Sequence, residues 1–457
     1  MRIALVVLLA SVSALAADPW EAAPFTAEPA VLAGAAAALP TAPGAEVEVL
    51  LEEGHFSYDA QGLETMTQRL VYRVLTPEGV KRWATVAVGY APWHEERPQV
   101  RARVITPSGQ AHTLDPSTLV DATPAENDPE MLSDRRVLRG PLPAISEGAV
   151  VEQLITTRET ESLFSSGAAR RFYFGKEVPV RKVRLTLEVP KGRPLHFAAR
   201  GVKVKPQRTE AHGRTRLSFE HGPLQPVASP EPFLPGDAVS WPHVAFSTGQ
   251  GWAELARRYH ETVETQLKGA SLESTAQQVL GGEQRREQVV AQLTGWIHSQ
   301  VRYTSLQFGE AAVVPRQPAE TLVRRYGDCK DLSTLLVGLL RVSGIPASVA
   351  LLRTGDEDVQ ESLPGFGLFD HAIVYIPGKP ALWVDATDAF SPPGQLPVSV
   401  QGRLALVAHP ETKGLVRTPE LPVSASGFTS TRRGLSKALS SWGSSRPSSE
   451  AAKTLFT

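Results

Sequence analysis

The 457-residue chain is 42% hydrophobic and 21% charged, with a formal net charge of -1 and one cysteine. That charge balance excludes a nucleic-acid partner held by electrostatics. A single thiol excludes both an internal disulfide and a cysteine-built zinc site.

Taken in chain order, the first segment, MRIALVVLLASVSALA, has Arg2, an apolar run from Ile3 to Ala10 and an A-x-A pattern at Ala14-Leu15-Ala16. It predicts a secretory leader over residues 1–16, with a buried N-terminal strand as the alternative. The apolar run is too short to span a bilayer. The mature protein is expected to be exported, periplasmic or extracellular, with no membrane span. Residues 17–46 are rich in Ala and Pro and read as a linker with room for a short helix.

From 47 to 240 apolar and polar residues alternate, as in Val180-Arg181-Lys182-Val183-Arg184-Leu185-Thr186-Leu187, and turn signals such as TPEG, TPSG and VPKG separate the runs. The pattern predicts antiparallel sheets with one wet face, a β-sandwich-like domain. His55, His94, His112, His196, His212 and His221 are scattered through it and read as surface or packing residues.

Near residue 250 the period changes. GWAELA opens a helical stretch running to about residue 267, and Val289, Val290, Leu293, Trp296 and Ile297 form one apolar face over 283–300. A short helix is expected over 318–326, ending at Gly327. After Cys329, Leu332, Leu335, Leu336, Leu339 and Leu340 make a buried stripe, stopped by Gly344 and Pro346. Three strands follow, PASVALLRT, HAIVYIP and LWVDATD, the last two joined across Pro377-Gly378-Lys379-Pro380. The segment 250–392 is therefore read as α+β, making the chain multidomain, with an all-β sandwich-like domain before an α+β core. Residues 393–457 turn Ser-rich and basic towards the end and read as a partly disordered tail.

The lone cysteine can be free, pair between chains, or do chemistry. It falls where the Leu-striped helix starts, next to Asp328, a residue able to cap it. There it meets unpaired backbone N–H groups and the positive end of the helix dipole, which favour thiolate and can cradle an oxyanion. A cysteine nucleophile needs a base, and the base an orienter. If the two strands pair through the PGKP turn, His371 and Asp385 come together across the ladder. The set reads as Cys329 nucleophile, His371 general base and acid, and Asp385 orienter, with Asp388 as a competitor for the last role. No metal or cofactor motif is found.

YGDCKD followed by LSTLL, then DHAIVY, then WVDATD resembles the bacterial transglutaminase-like superfamily, a papain-like family with Cys, His and Asp in this chain order. The resemblance covers about 250–392. The strand-rich region resembles the uncharacterised β-rich domain that often precedes such cores in secreted bacterial proteins. The resemblance implies acyl transfer on protein or peptide amides through a thioester, closed by an amine or by water; certain animal members depend on calcium, but no D-x-D-x-D-G loop is present and none is expected here. By analogy with papain-like sites Gln307 is a candidate oxyanion donor, with a plain structural polar residue as the alternative, while Tyr326 and Trp383 are candidates to line or to pack beside the cleft. A protein or peptide is the expected partner, and a cell-envelope ligand for the β-rich domain stays open. The competing reading is a catalytically silent binding or scaffolding protein. Family members often continue with further β structure after the Asp strand, where this chain turns Ser-rich.

Overall fold

The computed structural model describes residues 18–124, 131–162, 167–228, 238–355, 357–391 and 394–421. The expected leader over 1–16 and the tail beyond 421 lie outside the described residues. Among those described, no helix is long and apolar enough to cross a membrane.

The N-terminal half runs α1 (Pro29–Ala37), β1 (Val47–Tyr58), β2 (Glu64–Val74), α2 (Pro77–Trp83), β3 (Thr85–Tyr90), β4 (Gln99–Ile105), β5 (Ala111–Thr113), β6 (Val120–Ala122), β7 (Met131–Ser133) and β8 (Arg136–Pro141). It continues through β9 (Val150–Arg158), β10 (Ala169–Tyr173), β11 (Val183–Pro190), β12 (His196–Arg200), β13 (Gln207–Ala211), β14 (Arg214–His221) and β15 (His243–Ser247). An 8-stranded sheet has the order β13-β14-β11-β1-β2-β9-β4-β5, antiparallel except where β1 meets β11. Two 3-stranded sheets, β3-β8-β6 and β10-β15-β12, share a core with it. Val49, Tyr72, Val104, Val151 and Leu185 of the large sheet meet Leu138, Phe172, Phe174 and Phe246 there. The sandwich-like reading therefore describes this half.

The other face of the large sheet is not wet. Between Val49 and Leu51 a register shift turns Leu50 and Leu51 to that side, where they pack with Trp20, Leu32, Ala33 and Ala36. Beside them lie buried ion pairs, Arg69–Glu152 at 2.7 Å and Arg103–Glu152 at 2.8 Å, and Arg73 donates to Glu48 at 2.8 Å. Carbonyls of the N-terminal segment complete the arginines' bonding: Ala22 and Ala27 accept from Arg69 and Arg103, and Ala36, Leu39 and Pro40 from Arg73. Residues 18–40 are thus a cover over the sheet where a loose linker is expected. Buried charges hold it there, because an unpaired guanidinium out of water costs several kcal/mol.

The second half contains α3 (Trp252–Leu267), α4 (Glu273–Leu280), α5 (Arg286–Gln300), β16 (Arg302–Tyr303), β17 (Ser305–Gln307), α6 (Pro318–Arg324), β18 (Tyr326–Gly327) and α7 (Cys329–Val342). Then come β19 (Ser348–Leu352), β20 (His371–Ile376), β21 (Leu382–Val384), β22 (Leu404–Val407) and β23 (Val416–Arg417), in a 5-stranded sheet of order β21-β20-β19-β22-β23. Leu335, Leu336, Leu339 and Leu340 of α7 pack on one face of this sheet, with Val349, Ala372 and Val374. The opposite face, Ala350, Leu352, Ile373 and Ala405, is covered by Leu396 and Val400. Burial on both sides is why these strands read as continuous apolar runs.

The core sheet therefore continues past the expected boundary at 392. Leu404-Ala405-Leu406-Val407 pairs with β19, at Ala350↔Val407 and Leu351↔Leu406, within the segment read as the start of a partly disordered tail. Its four residues are too few to show a period.

Candidate active site

The site begins with a turn. Arg325 caps α6 in the left-handed region (φ 59°). Gly327 follows, where a Cβ would stand 2.8 Å from that of Asp331, so only glycine fits. Asp328 is the N-cap of α7, in a capping box with Asp331. Its Oδ1 accepts the N–H groups of Lys330 (3.1 Å) and Asp331 (3.2 Å), while Asp331 holds the N–H of Arg316 at 2.8 Å. Burial pushes the Asp328 carboxyl up to about 6, against the pull of Lys330, which is paired to it.

This cap places Cys329 at the first helical position, partly exposed. It also narrows the expected anion cradle. Two of the N–H groups at the helix start are taken by Asp328, whereas that of Cys329 has no acceptor among the described residues.

His371 opens β20, which α7 grips through a hydrogen bond from Ser333 Oγ to the Ala372 carbonyl at 3.0 Å. The imidazole Nε2 is 2.8 Å from Asp385 Oδ2, and the ring shares the cleft with Cys329, whose charge favours the imidazolium. Nε2 being engaged by Asp385, Nδ1 is the nitrogen left for the sulfur. The His371 side chain is 12% exposed and that of Asp385 4%. Burial opposes charge on the ring, but the bond to Asp385 and attraction to Asp385 and Cys329 outweigh it, raising His371 to about 10. Burial likewise pushes Asp385 up, but His371 and Thr387 outweigh it, so its carboxyl lies below its ordinary value. Thr387 donates its N–H (2.9 Å) and hydroxyl (2.7 Å) to Asp385 Oδ1.

Asp385 lies one residue beyond β21 rather than in the strand, and His298 of α5 fixes the turn by bonding the Ala386 carbonyl at 3.0 Å. The structure thus brings Cys329, His371 and Asp385 together. Asp388 is not at the ring: its Oδ1 accepts the Phe390 N–H at 2.9 Å. Gln307 ends β17, and its side chain lies outside the described residues. Trp383 is a packing residue against Tyr375, and Tyr326 sits in the two-residue pairing with β16, away from the cleft lining.

Cys329 and His371 open into a cleft of about 540 Å³, whose apolar lining includes Tyr259, Val313, Leu351, Phe366 and Phe369. Its far wall comes from the β-rich half: Gly89, His94, Glu95, Arg135 and Arg170. Sequence reasoning missed this wall, and took His94 as one scattered histidine among several. No local signal could find it, since these residues are about 160 to 240 positions from Cys329. Among the described residues no group of three His, Cys, Asp or Glu is placed to hold a metal.

Two families match in tandem. Residues 60–228 match DUF3857, a domain of unknown function, and residues 273–387 match the transglutaminase-like superfamily. No curated protein matches the chain. Among solved structures, a candidate protease from Parabacteroides distasonis is similar over 82% of this chain and 72% of its own, at 15% identity and a TM-score of 0.66. That likeness extends to the fold across both halves. A candidate cysteine protease from Cytophaga hutchinsonii aligns over 71% of this chain and 76% of its own at 13% identity, but with a TM-score of 0.21 it carries no argument.

Proposed function

The chain carries a transglutaminase-like core behind a β-rich DUF3857 domain, and on that premise we propose that it is an exported cysteine enzyme transferring acyl groups from protein or peptide amides. The observation that supports this most is an imidazole held by Asp385 at 2.8 Å that lines the same cleft as Cys329.

The roles follow from the bonding. Asp385 fixes the ring so that a nitrogen faces the sulfur and stabilises the imidazolium. The Cys329 sulfur, its proton on His371, attacks the amide carbonyl. The tetrahedral oxygen gains its charge beside the uncommitted Cys329 N–H at the positive end of α7. His371 then gives its proton to the departing amine, leaving a thioester on Cys329. An incoming amine or water attacks the thioester and gives its proton to His371, and the Cys329 sulfur departs as thiolate, restoring the starting pair. Cys329, His371 and Asp385 carry the chemistry in this reading.

Alkylation tests it. Iodoacetamide should modify Cys329 of the full chain rapidly near neutral pH, and His371→Ala should slow it by about 10²-fold, within the usual range for a positioned base. Equal, slow labelling of both proteins would overturn the enzymatic reading in favour of a silent core. An activity-based probe on the exported fraction, with mass spectrometry of the trapped adducts, then reports the substrate class and tests export.

A further inference from the structure

The cleft is not closed by the core alone. The strand of the β-rich half that reaches it, β3, is an edge strand, paired to β8 on one side only. Its residues Thr85, Ala87 and Gly89 are exposed, and Gly89 lines the cleft. A Cβ added at Gly89 would meet nothing nearer than the Arg136 carbonyl oxygen at 3.9 Å, so the space above the strand is open. An open edge exposes backbone N–H and C=O groups, and an extended chain laid beside it satisfies them.

The charges on the lining are mostly answered from within. Glu95 accepts the Ala91 N–H at 2.6 Å. Arg170 lies 3.3 Å from both Glu64 and Glu159. Asp370 holds the N–H and hydroxyl of Thr354 at 2.7 and 3.0 Å, and Lys330 pairs with Asp328. Arg135 differs: it is exposed and makes no ion pair among the described residues. Beside it His94 is 7% exposed, with Nδ1 unpartnered among the described residues. A buried ring nitrogen without a partner is a polar group available to a molecule bound in the cleft.

We propose that the β-rich domain is the substrate-recognition half of the cleft, seating an extended peptide along the free edge of β3 with an acidic side chain at Arg135. This rests on the acyl-transfer reading for the chemistry but not for the binding. The domain then acts as part of the site, and the short strand at its rim sets which amide carbonyl reaches Cys329. Both signs of charge along the wall and the aromatic floor suit a polypeptide better than a polyanion.

Binding is measured on the full chain with Cys329→Ala, which removes reactivity from the question. The probes are two fluorescent hexapeptide pools, one with Glu and one with Lys fixed at each position in turn, and the matching single-residue amides. Hexapeptides should bind at least about tenfold more tightly than the single-residue amides, and a Glu-fixed pool should exceed its Lys counterpart about fivefold. Gly89→Val, whose β-branched side chain suits a strand but fills the cleft, should remove the length advantage. Arg135→Glu should reverse the charge preference. In the cysteine-containing chain, iodoacetamide labelling of Cys329 is read separately, so that loss of thiol reactivity is told apart from loss of peptide binding. Hexapeptide affinity equal to that of the single-residue amides, or a length advantage surviving Gly89→Val, overturns the proposal. Peptide binding without thiol reactivity upholds it while ending the acyl-transfer reading.

Discussion

Replacing Asp385 by Asn isolates what the carboxylate does for the ring. The side chain now holds Thr387 with its oxygen at Oδ1 and meets His371 at Oδ2. Asn has one acceptor, so it either keeps Thr387 and turns its NH₂ towards the imidazole or abandons Thr387. In both cases a charge-assisted bond is lost, a difference of about 1–2 kcal/mol from a neutral one. At about 1.4 kcal/mol per pKa unit, the His371 midpoint should fall by about one unit or more from its value of about 10. Because the folded value lies above the ordinary 6.5, imidazolium stabilisation is fully present below that pH. It is lost as pH rises from 6.5 towards 10. The wild type should therefore lose about 1–2 kcal/mol more stability over this window than Asp385→Asn. Histidine-labelled NMR titration reads the midpoint, with His371→Gln assigning the signal, and urea unfolding at several pH values reads the stability. Midpoints that coincide in the two proteins, or a wild-type ring titrating near 6.5, would refute the coupling of Asp385 to His371.

Other parts of the scaffold answer to simpler measurements. Leu335→Ala in the fully buried stripe of α7 should lower unfolding free energy by about 2–5 kcal/mol, read by urea titration. Glu152→Ala strands Arg69 and Arg103 beneath the N-terminal cover and should cost about 3–5 kcal/mol, with limited proteolysis cutting within 18–40 first. Gly327→Ala forces the new methyl onto Asp331, so both the cap and the Cys329 alkylation rate should fall. Asp388→Ala, by contrast, touches only the Phe390 turn and should leave alkylation within about twofold. A large loss there would show that the orienter had been misassigned.

The elements legible in the sequence are those whose residues see one another locally. The Leu stripe of α7 declares its helix because 3.6 residues per turn puts those side chains on one face, and Asp328 declares its start by capping chemistry. The Pro-Gly-Lys-Pro connection and two apolar strands put His371 and Asp385 on one hairpin, and the structure pairs those strands at Val374↔Val384 and Tyr375↔Trp383, with Asp385 one residue past the second strand. Helix α4 was missed, since its one buried residue, Ala276, gives no stripe.

The sequence by itself determined the helix start that carries the thiol and the hairpin that carries the imidazole and carboxylate, because period, cap and turn act over a few residues. Tertiary structure alone decided that Leu404–Val407 joins the core sheet, that Trp20 and Leu32 pack on Leu50 and Leu51, and that Gly89, His94 and Arg135 line one cleft with Cys329. Those contacts join residues far apart in the chain, where neither periodicity nor local hydrogen bonding carries information and only the packing of one finished half against the other selects the neighbour.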